Sequence, residues 1–151
     1  MLVSYAQSLP DLLSTPVPRK SEAEMMLERI ERVARDHHAR TGRFPKGTTQ
    51  LTPKASCCLQ NFEGKKKCAP VPSHWEAAPW KALGFAPDAP HYYQYSYSSK
   101  TGKSFVITAV GDLDCDATPI TYELRGTLVA NKDGKGSTVE VELIHPLPNS
   151  D

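Results

Sequence analysis

The feature that most constrains the fold is a change in the spacing of apolar residues along the chain. Between residues 21 and 42 apolar side chains recur every three to four positions, as on one face of a helix. From residue 92 onward they alternate with polar side chains, as in strands with one buried face. Because a one-sided helix and a one-sided sheet must each cover an apolar surface, the pattern predicts an α+β domain.

The helix is predicted to begin at Ser21 and to end at Gly42. Ser21 and Glu24 have the spacing of a capping box, and Gly42 followed by Pro45 is typical of a helix end. Acidic residues lie early and basic residues late, which complements the helix dipole. The apolar stripe that we expect to pack on the sheet includes Met26, Leu27, Ile30 and Val33.

Four strands are predicted in the C-terminal half. Tyr93, Tyr95 and Tyr97 alternate with polar residues in the first strand, and residues 98–102 and 131–136 supply turn chemistry. Consecutive strands with short connections predict an antiparallel meander. The expected fold is therefore α+β, with one N-terminal amphipathic helix packed on a four-stranded antiparallel meander sheet.

Residues 45–90 show no sustained period and are predicted to form an irregular loop. A short helical turn is expected near Trp80. The aromatic and aliphatic residues of this region are expected to form a small apolar cluster of Trp75, Trp80, Leu83 and Phe85.

The four cysteines, Cys57, Cys58, Cys68 and Cys115, are an even number in a small domain, which suits two disulfides and an oxidising compartment. A bridge between the neighbours Cys57 and Cys58 would be strained. Two pairings remain, in which these neighbours bond to the other two cysteines in one order or the other. One bridge would close a local loop of about ten residues, and the other would tie that loop to the sheet. The alternative, a zinc site of four cysteines, lacks the usual two closely spaced pairs.

An acidic segment has the spacing of a calcium loop. Asp112, Asp114 and Asp116 alternate, and Glu123 stands at the twelfth position counted from Asp112. However, Ala117 occupies the position where a glycine normally makes the sharp turn, and no second helix follows. The alternative is a solvated acidic turn between strands. Calcium is the one cofactor that the sequence suggests.

Composition and motifs favour a structural protein over an enzyme. The net charge of +1 gives no sign of a nucleic-acid partner. No Ser-His-Asp order, phosphate-binding glycine loop or HExxH pattern is visible, so no catalytic residues are predicted. His74 and His91 lie beside aromatic residues in loops, without a carboxylate partner that the sequence can assign. No run approaches the roughly 18 apolar residues of a membrane span.

Four local segments and the order of the elements together support one resemblance. The helix opens with Ser21-Glu22-Ala23-Glu24, and it is followed by Thr41-Gly42-Arg43-Phe44-Pro45. The first predicted strand contains Tyr92-Tyr93-Gln94-Tyr95-Ser96-Tyr97, and a later connection contains Gly111-Asp112-Leu113-Asp114-Cys115-Asp116. Each segment is similar to the corresponding segment of the type IV pilin and pseudopilin family, and the order of helix, loop and sheet resembles that of the same family.

The resemblance implies a structural subunit of a type IV pilus or of a related filament or secretion pseudopilus, active in surface display, adhesion or motility. Its partners would be other pilin subunits. Its place would be an extracellular filament or the periplasm, after anchoring in the inner membrane. The alternative function is a secreted, calcium-dependent binding module that does not enter a filament.

The sequence departs from the family at its beginning. Pilins carry a cleavage motif and a long apolar N-terminal helix, and neither is found in residues 1–20, which are rich in proline. We therefore expect residues 1–20 to be either a flexible tail or the remnant of a truncation made for expression. Residues 21–148 are expected to be the globular domain. Contact with a membrane would come only through the missing helix.

Overall fold

The long helix lies where the sequence predicts it. The structure, a computed structural model, describes residues 21–146, and its first helix, α1, spans Glu22–Thr41. The Ser21 side chain accepts a hydrogen bond from the backbone N–H of Glu24 at 3.2 Å, and Gly42 ends the helix in the left-handed conformation with φ of 83°. Both predicted helix ends are thus confirmed. The tail predicted for residues 1–20 and the final positions of the predicted domain lie outside the described residues.

The sheet is an antiparallel meander of five strands. Its strands follow one another in space in the same order as along the chain, β1-β2-β3-β4-β5. Their bounds are Gly47–Thr48 for β1, Tyr93–Ser99 for β2, Ser104–Gly111 for β3, Ile120–Ala130 for β4 and Ser137–Ile144 for β5.

The prediction of four strands is therefore wrong, although the α+β class is right. The additional strand, β1, has only two residues, which pair with Ser99 and Ser98 at the end of β2. Alternation of apolar and polar residues cannot show in two residues, so no pattern marks this strand. It forms because the loop after α1 runs along the free edge of β2, where backbone groups need partners.

Helix α1 lies across β3 and β4 and provides one side of the core. Leu27 and Ile30 are fully buried, and the small side chains of Ala23 and Ala34 are fully buried with them. Complete burial of a leucine or isoleucine side chain stabilises by about 1.5–3 kcal/mol. The other two predicted stripe residues pack against the edge of the core and are half-buried: Met26 and Val33.

The other side of the core is aromatic. The predicted helical turn near Trp80 is a second helix, α2, at Ala78–Leu83. The ring of Trp80 lies 5.0 Å from that of Trp75 and 5.4 Å from that of Phe85 between centroids. All three are nearly inaccessible to solvent, and Leu83 is buried with them. The predicted apolar cluster is thus confirmed as part of the main core.

One carboxylate joins the start of α1 to β2. Glu22 accepts hydrogen bonds from the backbone N–H groups of Tyr92 at 2.8 Å and Tyr93 at 3.1 Å, and from the hydroxyl of Tyr95 at 2.6 Å. Hydrogen bonds to an ionised acceptor are stronger than those between neutral groups. Burial raises the pKa of Tyr95, and the Glu22 carboxylate raises it further, so this phenol stays protonated and keeps donating.

We expect Glu22→Gln to lower the free energy of unfolding by about 1–3 kcal/mol. The three donors would then face a neutral amide with one acceptor oxygen in place of a carboxylate with two. Urea denaturation at neutral pH measures the change. The control is Glu24→Gln on the same turn of α1, whose carboxylate accepts a long hydrogen bond of 3.4 Å from Ser21. This control should cost less than about 0.5 kcal/mol. Equal losses in the two variants would contradict the role of Glu22.

Candidate functional site

Two disulfides hold the loop that precedes β2. Cys57 bonds to Cys68, and Cys58 bonds to Cys115 in the connection between β3 and β4. These bonds select one of the two orders that the sequence left open. The first closes a local loop over a sequence separation of 11, and the second joins that loop to the sheet over a separation of 57. Each is of the kind that stabilises by about 2–4 kcal/mol.

His91 lies beside the first disulfide and is only 2% exposed. The backbone N–H of Cys68 donates to the carbonyl oxygen of His91 at 2.7 Å. In return, the backbone N–H of His91 donates to the carbonyl oxygen of Cys68 at 3.1 Å. The ring atom Nδ1 lies 2.8 Å from the carbonyl oxygen of Tyr93. Because a carbonyl oxygen can only accept, Nδ1 carries the proton. The other ring nitrogen, Nε2, is buried and has no hydrogen-bond partner within residues 21–146.

The environment of this ring favours the neutral imidazole. Burial lowers the pKa of His91 below its usual 6.5, and this effect outweighs the hydrogen bond to Tyr93 and the attraction of Glu22, which raise it. Sequence reasoning gave His91 no function, since its neighbour Cys68 lies more than twenty positions away. The pairing of the two backbones is a tertiary contact that no local sequence pattern predicts.

The connection between β3 and β4 brings three of the four predicted calcium ligands together. Carboxylate oxygens of Asp112, Asp114 and Asp116 lie within 4.8 Å of one another. Glu123 is not in this cluster of described residues. It lies on β4, and its carboxylate forms an ion pair of 2.7 Å with Arg125.

Backbone hydrogen bonds use part of this acidic cluster. The Asp112 carboxylate accepts from the N–H groups of Asp116 at 3.1 Å and Ala117 at 2.8 Å. Desolvation acts to raise the pKa of Asp112, but these donors together lower it below its usual value. For Asp116, the N–H of Thr118 acts to lower the pKa, yet desolvation and the nearby Asp114 produce a net rise. The carboxylates therefore serve the turn itself, and a bound calcium ion stays a prediction.

The position that argued against a calcium loop has an unexpected backbone conformation. Ala117 has φ of 70°, which is the left-handed region that glycine adopts readily. The turn therefore has the conformation that a glycine would provide, although the side chain present is a methyl group. An alanine held in this region destabilises the folded chain locally.

We expect Ala117→Gly to raise the free energy of unfolding by about 0.5–1 kcal/mol, because relief of this conformation outweighs the greater freedom of glycine in the unfolded chain. Thermal denaturation followed by circular dichroism measures the change. The matched control is Ala130→Gly at the end of β4, where the backbone is extended and the same substitution should be destabilising. A loss of stability in both variants would contradict the expectation.

A cleft of about 630 Å³ lies beside β1, lined by residues 48–55 with Gln60, His74 and Ala77. Two of its hydroxyls are already engaged by the core. The Thr52 hydroxyl oxygen accepts from the indole N–H of Trp80 at 3.1 Å, and that of Thr49 accepts from the N–H of Tyr97 at 2.9 Å. These polar groups of the cleft hold the loop on the sheet.

The comparisons with known proteins add no relative. No family model matches the chain, and searches of curated proteins and of solved structures likewise found no match. The class of protein is therefore defined by its fold and geometry alone. The chain forms a small α+β domain whose antiparallel meander carries a disulfide-bonded loop. In the part of the chain that the structure describes, neither helix combines the length and the apolar character needed to cross a membrane.

We expect the burial of His91 to make stability depend on pH. Because the folded pKa lies below 6.5, the unfolded chain takes up the proton first as the pH falls. The free energy of unfolding should therefore decrease as the pH drops from about 6.5 toward the folded pKa, and this contribution should stop changing below it. Urea denaturation across this range measures the slope.

The variant His91→Gln should show a smaller decrease over the same pH range, since it removes the group that titrates. His145→Gln, which replaces an exposed histidine, is the matched control and should keep the slope of the original chain. Equal slopes in all three proteins would show that His91 does not carry the dependence.

Proposed function

We propose that the chain is the globular part of a filament subunit of the type IV pilin or pseudopilin kind. Such a subunit acts by packing and display, so the proposal assigns no catalytic residue. Three features support it: the amphipathic helix that starts the described region, the antiparallel meander beneath it, and the loop held by disulfides. The observation that carries the proposal is the free edge of the sheet at β5.

Strand β5 pairs with β4 along one side only. Its other backbone edge has no strand partner among the described residues, and helix α1 lies over β3 and β4 instead. Apolar side chains remain exposed on the last two strands: Val129 at 38%, Val141 at 41% and Ile144 at 37%. An unpaired edge with exposed apolar side chains favours contact with another chain. Other subunits of the same filament are the partners that fit the proposal.

The two disulfides support an oxidising location, outside the cytoplasm, for this subunit. Such bonds form and persist in secreted and periplasmic proteins. The proposed location is the periplasm or an extracellular filament, after anchoring in the inner membrane.

The test is self-association of the purified full chain through β5. We expect sedimentation velocity to show reversible association that increases with protein concentration. Val141→Lys should shift the chain toward the monomer, because a lysine on an edge strand opposes pairing with another strand. The matched control is Leu59→Lys, which changes a side chain that is 81% exposed and lies outside the sheet. It should leave the association unchanged.

A chain that stays monomeric at every concentration would contradict the proposal. Equal effects of the two lysine variants would contradict the assignment of the contact to β5. The alternative function, a secreted binding module, predicts the monomeric outcome. Its calcium dependence would rest on the acidic cluster of Asp112, Asp114 and Asp116.

A further inference from the structure

We propose that the reduced chain binds a divalent metal ion of the zinc type through Cys57, Cys68 and His91. The ion would take the place that the Cys57–Cys68 disulfide occupies in the oxidised chain. Disulfide and metal would then be alternative cross-links of the same loop.

The three side chains already lie together. One potential ligand atom from each lies within 4.8 Å of the other two. The exposed fractions are 3% for Cys57, 0% for Cys68 and 2% for His91, so the cluster is shielded from solvent. Thiolate sulfur and imidazole nitrogen are the ligands that zinc prefers in proteins, and three protein ligands leave a fourth position for water.

The hydrogen bonding of the His91 ring is of the kind found in metal ligands. A histidine that binds a metal through one ring nitrogen usually donates the other N–H to a carboxylate or a backbone carbonyl. Here Nδ1 donates to the carbonyl oxygen of Tyr93, which fixes the ring and leaves the lone pair on Nε2. That atom is buried and unpaired within the described residues. Buried polar atoms without a partner are rare, and a bound ion would satisfy this one.

The surroundings hold the ligands in place. Cys68 and His91 form an isolated antiparallel bridge, so their backbones cannot separate without losing two hydrogen bonds. Cys57 begins a short 3₁₀ turn whose N-terminal cap is Ser56. The Gln60 side chain donates an N–H to the sulfur of Cys68 at 3.3 Å, and the same donor would stabilise a thiolate there.

A dithiol can serve as the reductant of the Cys57–Cys68 disulfide. The dithiol transfers two electrons and two protons to the Cys57–Cys68 bond, which opens to two thiols, and the reductant forms its own disulfide. Binding of one divalent ion then displaces both thiol protons.

The test uses the full chain, reduced with a dithiol and separated from it without oxygen, and titrated with Co²⁺ as a spectroscopic probe for zinc. We expect one tetrahedral, thiolate-bound Co²⁺ per chain, seen in its visible absorption and displaced by Zn²⁺. The oxidised chain should show no such spectrum. His91→Gln should weaken Co²⁺ binding by more than about 100-fold, since even loss of a group that only orients a ligand costs about 10–100-fold.

The matched control replaces the other two cysteines, in the double variant Cys58→Ser and Cys115→Ser. It should keep the Co²⁺ spectrum, since it retains all three proposed ligands. Loss of the spectrum in this control, together with its persistence in His91→Gln, would assign the ion to the four cysteines and overturn the proposal. Absence of a tetrahedral spectrum in the reduced original chain would also overturn it.

Circular dichroism covers the case in which reduction unfolds the chain. Refolding of the reduced protein on addition of Zn²⁺, but not of Mg²⁺, would support the site, because binding to a site that only the folded state has stabilises that state. A reduced chain that stays unfolded with Zn²⁺ would overturn the proposal.

Discussion

The burial of the α1 stripe against β3 and β4 is the contact on which the rest of the structure depends. Leu27 and Ile30 fill the centre of this interface, and the small alanines at positions 23 and 34 are buried with them. Glu22 fixes where along the sheet the helix lies, since its carboxylate accepts from two backbone N–H groups and one phenol of the β2 region. A nonpolar surface thus provides most of the stabilisation, and one charged group provides the alignment.

The segment between β1 and β2 has little secondary structure and depends on side chains instead. Trp80 is the centre of its aromatic packing, and the indole N–H of Trp80 donates to Thr52 so that the buried ring leaves no unpaired donor. Two disulfides then hold the part of the loop that the aromatic core does not reach. His91 lies where these two systems meet, since its ring is 6.3 Å from that of Trp75 and its backbone pairs with that of Cys68.

The two ends of the sheet differ in how their surfaces are satisfied. On the β1 side, the loop and its aromatic residues cover the edge, so polar groups there are engaged in the fold. On the β5 side, no described strand or helix covers the edge, and apolar side chains such as Val141 remain partly exposed. This asymmetry is the physical basis for proposing a subunit that contacts its neighbours through one edge. The acidic turn at Asp112 lies in the β3–β4 connection and serves its own backbone first.

Much of this fold could be predicted from local pattern, because helix and strand periods are properties of neighbouring residues. The ends of α1 and the alternation of β2 followed from capping and spacing. The cluster around Trp80 followed from the aromatic and aliphatic residues grouped in that region. Strand β1 could not be predicted, since two residues carry no period and their partner is the distant end of β2. The pairing of the cysteines and the place of His91 beside Cys68 likewise depend on how the loop folds back over the sheet. Sequence alone determined which longer segments are helix or strand and which face is apolar. The tertiary structure decided where β1 pairs and which distant side chains meet, because those contacts form only once the core has packed.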